Sequence, residues 1–212
     1  MSALKNALQN HFGEHRVVDI PGQEGDFPLL AINIESKGQQ VTLIMTNGLS
    51  EKTMIVPEKV KERKHIELFF ALPSYWEWDE LENPTRNWIF TWIQKLAKHL
   101  MSSEETWFGY GHTFSNKIKT DDVSDFQPLS PTMKQQHLIL LDPIELEYEL
   151  QKMMIDGKEV YFQAIVPLYS DELDYKQGNS ARKLVRKMMN SGVSEILDDF
   201  RGTVLRAKWR LF

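Results

Sequence analysis

The chain has 212 residues, 42% of them apolar and 26% charged, a balance that supports a packed core and excludes intrinsic disorder. It contains no cysteine, which excludes disulfides, thiolate catalysis and cysteine-ligated zinc or iron–sulfur centres. The net charge of −5 disfavours general nucleic-acid binding, because phosphate backbones repel an acidic surface.

In chain order, Leu4, Ala7, Leu8, His11 and Phe12 share one helical face, with Ser2 placed to cap the start and Gly13 the end. Asp19–Phe27, with Pro21, Gly22 and Gly25, is expected to be loop. Leu30, Ile32, Ile34 and then Val41, Leu43, Met45 alternate around Ser36-Lys37-Gly38-Gln39, the pattern of a hairpin. A third strand is expected over His65–Leu72, ended by Pro73. The clearest helix runs from about Pro84 to Leu100, capped by Asn83, with Trp88, Ile89, Trp92, Ile93, Leu96 and Leu100 as its apolar stripe. Further strands are expected around Phe108–Phe114 and His137–Leu141, the second apolar on both faces and so covered on both. Asn116–Lys134 is polar and reads as a long loop. Asp156-Gly157 is a hairpin signal joining Glu145–Ile155 to Glu159–Val166.

The C-terminal third turns helical. Ser170 and Gly178 bound one short helix, and Ser180 caps another through Met189. Val193, Ile196, Leu197 and Phe200 suggest a further turn or two, and Leu205–Leu211 alternates as a last strand with one basic face. Strands mixed with few, grouped helices point to an α+β fold, a mixed, mostly antiparallel sheet with helices packed on it. No linker divides the chain, so one domain over residues 1–212 is expected. No apolar leader or membrane-length apolar run occurs, so the expected location is the cytoplasm.

No motif identifies a reaction. His11 and His15 have metal-ligand spacing, but Gly13 falls between them and no further ligand completes a site. Gly109-Tyr110-Gly111 begins like a dinucleotide fingerprint, but Phe114 stands where a third glycine is needed. Carboxylate pairs such as Asp171/Glu172 could serve acid–base work, although solvated charge at helix starts explains such pairs as well. Glu67 lies inside an apolar strand and, if covered, calls for a partner such as arginine or lysine. Arg182, Lys183, Arg186 and Lys187 form a basic helix face. Tyr75-Trp76-Glu77-Trp78 is the most unusual composition: indoles and a phenol after a strand-ending proline either anchor a partner or fold back on the core.

Several segments together resemble the suppressor-of-fused family, specifically its bacterial members and the N-terminal domain of the animal proteins. They are Thr46-Asn47-Gly48-Leu49-Ser50 with Met54; His65-Ile66-Glu67-Leu68 through Leu72-Pro73; the helix from Trp88; Phe108–Thr113; His137–Pro143; Ile165-Val166-Pro167-Leu168 with Asp171-Glu172-Leu173; and Asp198-Asp199-Phe200-Arg201. They occur in the expected order across most of the chain, and Leu49 departs from the more usual methionine. The resemblance implies an α+β sandwich and a non-enzymatic protein that binds another protein. Animal members take a peptide of a transcription factor as an added strand, at a site that uses a second domain with no counterpart in these 212 residues. Bacterial members are similar to immunity proteins, so the resemblance implies either an immunity protein that neutralises a toxin or a regulator that sequesters a protein partner. The partner-binding candidates are Tyr75, Trp76, Trp78, Thr46, Gly48, Tyr110, His112, Asp171 and Glu172. No cofactor or metal is expected. Two other readings stay open: an enzyme using Glu67, His112 or Asp171/Glu172, and a homo-oligomeric structural module, a homodimer included.

Overall fold

The computed structural model describes residues 2–78, 83, 85–102, 104–117, 126–146 and 150–205. The sheet begins with β1 (Val17–Ile20), a strand within a stretch expected to be loop from Asp19 onward. β2 (Leu29–Ser36) and β3 (Gln39–Thr46) follow, paired in antiparallel register from Leu29↔Thr46 to Ser36↔Gln39. Lys37 (φ 50°) and Gly38 (φ 76°) make their turn, both left-handed, so the turn's twist matches that of the strands. Asp156 (φ 47°) and Gly157 (φ 77°) repeat the device between β7 (Lys152–Ile155) and β8 (Lys158–Leu168).

β4 (His65–Pro73), β5 (Thr113–Ser115) and β6 (His137–Leu141) complete the sheet. The order is β1-β2-β3-β4-β8-β6-β5, with β7 also on β8. β4 and β8 run parallel; the other described pairs are antiparallel. The fold is therefore the expected mixed, mostly antiparallel α+β sheet.

Both faces of this sheet are covered. On one, Ile66, Leu68, Phe70 and Leu72 of β4 meet helix α2 (Trp88–Met101) through Trp88, Ile89, Trp92, Ile93 and Leu96. On the other, Leu30, Leu43, Phe69 and Phe162 meet Leu4 and Leu8 of α1 (Ala3–Phe12) and Leu184 and Met188 of a C-terminal helix, α4 (Ala181–Asn190). Helix α3 (Ser170–Gly178) precedes it. Ser2 and Ser180 cap α1 and α4 as expected, accepting from the Lys5 and Lys183 N–H.

Other elements also differ from the sequence expectation, and the strand expected over Glu145–Ile155 is reduced to Lys152–Ile155. α2 starts at Trp88, because Asn83 caps the turn before it, accepting from the Thr85 N–H; Pro84 lies outside the described residues. The Phe108–Phe114 strand shrinks to Thr113–Ser115, because Gly111 (φ 85°) turns the chain ahead of it. Val193–Phe200 is not helical. Gly192 (φ 74°) stops α4, and β4 beyond Phe69 has lost β8 as a neighbour. Residues 196–197 fill that vacated edge: Ile196 bridges Ala71 in parallel, and the Leu197 N–H donates to the Ala71 carbonyl at 2.8 Å. The expected last strand, apart from Leu205, lies outside the described residues.

Phe70 is fully buried and packs edge-on against Trp88. Phe70→Ala is expected to lower the unfolding free energy by about 3–5 kcal/mol. Met154→Ala, at an exposed position, should change it by less than about 0.5 kcal/mol. Urea unfolding measures both.

Candidate functional site

Of the carboxylates that looked most like chemistry in the sequence, Glu67 and Glu172 are buried and fully engaged. Glu67 has no exposed surface. Its partner is not the arginine or lysine expected. Oε2 accepts from the Thr46 hydroxyl at 2.5 Å, and Oε1 accepts from the Gly48 and Ser50 N–H groups at 3.2 and 2.9 Å. The Leu49 N–H also points at Oε2. Thr46 Oγ1 in turn accepts the Leu68 N–H at 2.9 Å, so its proton is directed at Glu67. The turn after β3 can offer these donors because Gly48 takes φ 111°, which a side chain would oppose.

Glu172, at the start of α3, is equally buried. It receives Arg201 as a two-pronged ion pair, 2.7 and 2.8 Å, together with the N–H groups of Tyr169 and Val204. Arg201 also donates to the Pro167 carbonyl at 2.7 Å. A third buried carboxylate, Glu195, escaped notice in the sequence. It accepts the N–H groups of Ile144, Glu145 and Leu146 at 2.7–2.9 Å. Its one sequence signal is a lone charge inside the apolar run Val193–Leu197.

A serine–histidine contact also occurs. His137 places Nε2 3.0 Å from Ser170 Oγ and Nδ1 2.8 Å from Ser115 Oγ. The imidazole is buried and occupied at both nitrogens, and Ser170 directs its proton to Gln136 Oε1 at 2.5 Å. Burial holds the His137 pKa below the usual histidine value, with Asp174 pulling the other way. That arrangement joins β5, β6 and α3 and leaves no open face for a substrate. Among the described residues no hydrogen bond links Glu67, His112, Asp171 and Glu172 to one another, and no cluster of three potential ligands could hold a metal ion.

The other candidates divide between core and surface. After Pro73 the chain turns back, the Trp76 N–H meeting the Pro73 carbonyl, and this sends neighbouring aromatics opposite ways. Trp76 is 5% exposed and packs on Trp88; Trp78 is half-buried against the same core. Tyr75 is 51% exposed, its hydroxyl 3.2 Å from Asp199 Oδ1. Partial burial, then the Asp199 charge, raise its pKa, so it stays a hydrogen-bond donor. Thr46 lies wholly beneath the surface and Gly48 partly so. Asp171 is on the surface, accepting from Thr203 Oγ1 at 2.8 Å.

Two of the surface hollows lie beside candidate residues. One, of about 670 Å³, is walled by Arg63, Trp107, Tyr110, His112, Asp142 and Arg182. Arg63 is clamped by both oxygens of Asp142, and the His112 ring lies 4.3 Å from that of Trp107, tilted by 60°. Burial, then nearby Lys176, lower the His112 pKa against the pull of a hydrogen bond with the Trp107 backbone, and the net effect favours the neutral ring. The second, of about 490 Å³, lies beside Tyr75, Ile196, Asp198 and Phe200.

The family model for the suppressor of fused protein matches residues 25–201, which takes in both halves of the Glu67 and Glu172 arrangements. The chain belongs to the suppressor of fused family. Two solved structures share the fold. The Sufu-Fu complex crystal structure superposes with a TM-score of 0.65 at 17% identity, over 95% of this chain and 91% of that one. The crystal structure of Drosophila Suppressor of Fused gives 0.58 at 18% identity, over 86% of this chain and 44% of that one. This chain thus spans less than half of the Drosophila chain. Among curated proteins, none matches. Four of the segments that carried the suppressor-of-fused resemblance are paired in space by buried clamps, Thr46–Ser50 with the Glu67 strand and the Glu172 segment with Arg201.

Burial pushes Glu67 from 4.5 up to about 7, against the pull of Thr46 and the backbone N–H groups. The folded state therefore binds this proton more tightly than the unfolded chain does. Stability should fall as pH rises from about 4.5 to about 7 and then level off. In Glu67→Gln that slope should vanish, which urea midpoints at about pH 5 and about pH 8 would show. Arg201→Met should cost about 3–5 kcal/mol by stranding Glu172, and adding Glu172→Gln should recover part of it.

Proposed function

We propose that this chain is a non-enzymatic module that binds another protein. The observation that supports this reading most is the use made of its buried carboxylates. Glu67, Glu172 and Glu195 are engaged by backbone N–H groups, the Thr46 hydroxyl and one arginine, a use that suits structure better than reaction. Family membership adds weight, since a fold neighbour was solved as the Sufu-Fu complex. No helix among the described residues is long and apolar enough to cross a membrane.

The finer reading is that of a bacterial cytoplasmic immunity protein whose partner is a toxin. It rests on the sequence resemblance. The chain, tagged and incubated with host extract at physiological salt, is expected to retain one partner at close to equal amounts, identified by mass spectrometry. Recovery of the chain alone, as a monomer or as copies of itself, would count against binding of another protein. Expression of a retained toxin alone should arrest growth, and co-expression with this chain should restore it. A harmless partner would remove the toxin reading and leave the binding one.

A further inference from the structure

Phe200 is 81% exposed, the most exposed of the large apolar side chains in the described residues. It is nevertheless on a fixed piece of backbone. Its own N–H donates to Asp198 Oδ1 at 3.0 Å, and Asp199 on one side accepts from Tyr75. On the other side Arg201 is locked to Glu172 and Pro167. An aromatic ring held out in water by a rigid support has already lost the backbone entropy that binding would cost. Such a ring, beside an apolar hollow, is the kind of anchor on which interfaces concentrate their energy.

The hollow beside it has an apolar floor, Pro73, Ile196 and Leu197, and an acidic wall, Glu145 and Asp198, with Asp199 adjacent. Among the described residues Lys37, itself exposed, pairs with Glu145 of this wall at 3.6 Å. Its volume of about 490 Å³ suits one large side chain with its flanks. Acidic walls repel acidic or phosphorylated segments and draw lysine and arginine, which can also stack on the faces of Tyr75 and Phe200. The larger hollow near His112 carries the opposite lining, Lys59, Arg63 and Arg182 against Glu62 and Asp142. The two are therefore not interchangeable for a charged segment.

We propose that the groove beside Phe200 seats a segment of the partner protein that carries an apolar or aromatic anchor flanked by lysine or arginine. This rests on the protein-binding reading and deepens it.

Fluorescence anisotropy of labelled peptides of about nine residues tests it, one with a central tryptophan between lysines and arginines, the other with the same tryptophan between aspartates and glutamates. The full chain should bind the basic peptide one-to-one and not the acidic one, more weakly at about 0.5 M salt. Phe200→Ala should weaken binding at least about tenfold, and Asp198→Asn with Asp199→Asn about fivefold, with thermal midpoints unchanged. Equal binding of both peptides, or wild-type affinity in Phe200→Ala, would overturn the proposal. A chain ending at Leu205 separates a second occupant, since residues 206–212 themselves hold three cations and Trp209. If the basic peptide binds only that shortened chain, the groove belongs to the protein's own C-terminal residues and the proposal fails. A partner held equally by wild type and Phe200→Ala would sink the groove while sparing the binding reading. Specific peptide binding with no partner in extract would do the reverse.

Discussion

A carboxylate withdrawn from water must find donors, and in this fold the donors are the backbone N–H groups of segments leaving the sheet. Glu67 gathers the turn at residues 46–50, Glu195 gathers 144–146, and Glu172 gathers residues 169 and 204. Among the described residues, Glu172 alone of the three has a cation as well. Burying a charge is expensive unless every lone pair is met. The arrangement is therefore strict: moving the loop removes the donors, and removing the carboxylate strands N–H groups that have no water to turn to. A sheet covered on both faces needs such ties, since its apolar layers fix the strands but say little about the loops between them.

The same ties shape the surface. The segment from Val193 to Phe200 is held at both ends, at Glu195 by residues 144–146 and at Arg201 by Glu172. Between these points it fills the edge of β4 through Ile196 and Leu197 and presents Asp198, Asp199 and Phe200 outward. Interior electrostatics and the exposed groove are thus one structure. The interior carboxylates tie this segment down, and under the proposed protein-binding role the rigid lip is what the chain would offer a partner.

Much of this fold was legible in the sequence, because its signals are local. Lys37-Gly38 and Asp156-Gly157 specify left-handed turns, the stripe from Trp88 to Leu100 specifies α2, and alternation specifies β2, β3 and β4. What escaped depends on contacts between distant residues. The spacing of Val193, Ile196, Leu197 and Phe200 fits a helix, but a vacant strand edge at Ala71 competes for the same residues and wins. That error hid Phe200, read as part of an apolar stripe when it stands in water. Glu67 stood out as a charge among apolar neighbours, but side-chain patterns cannot report a backbone partner, so an arginine or lysine was expected where Thr46 and three N–H groups stand. Among the aromatics, the turn at Pro73 decides that Trp76 goes inward and Tyr75 outward, which composition alone leaves open. The family motifs were recognised as strings; their physical sense is that Thr46–Ser50 receives Glu67 and Glu172 receives Arg201.

Native-state amide hydrogen exchange, read residue by residue, tests most directly whether buried carboxylates hold these loops. Loop amides ordinarily exchange through small local openings. If the account is right, the amides of Gly48, Ser50, Ile144, Leu146 and Val204 exchange nearly as slowly as those of β4 and β8, opening only with the whole molecule. Fast exchange at these positions, with the sheet still protected, would contradict it.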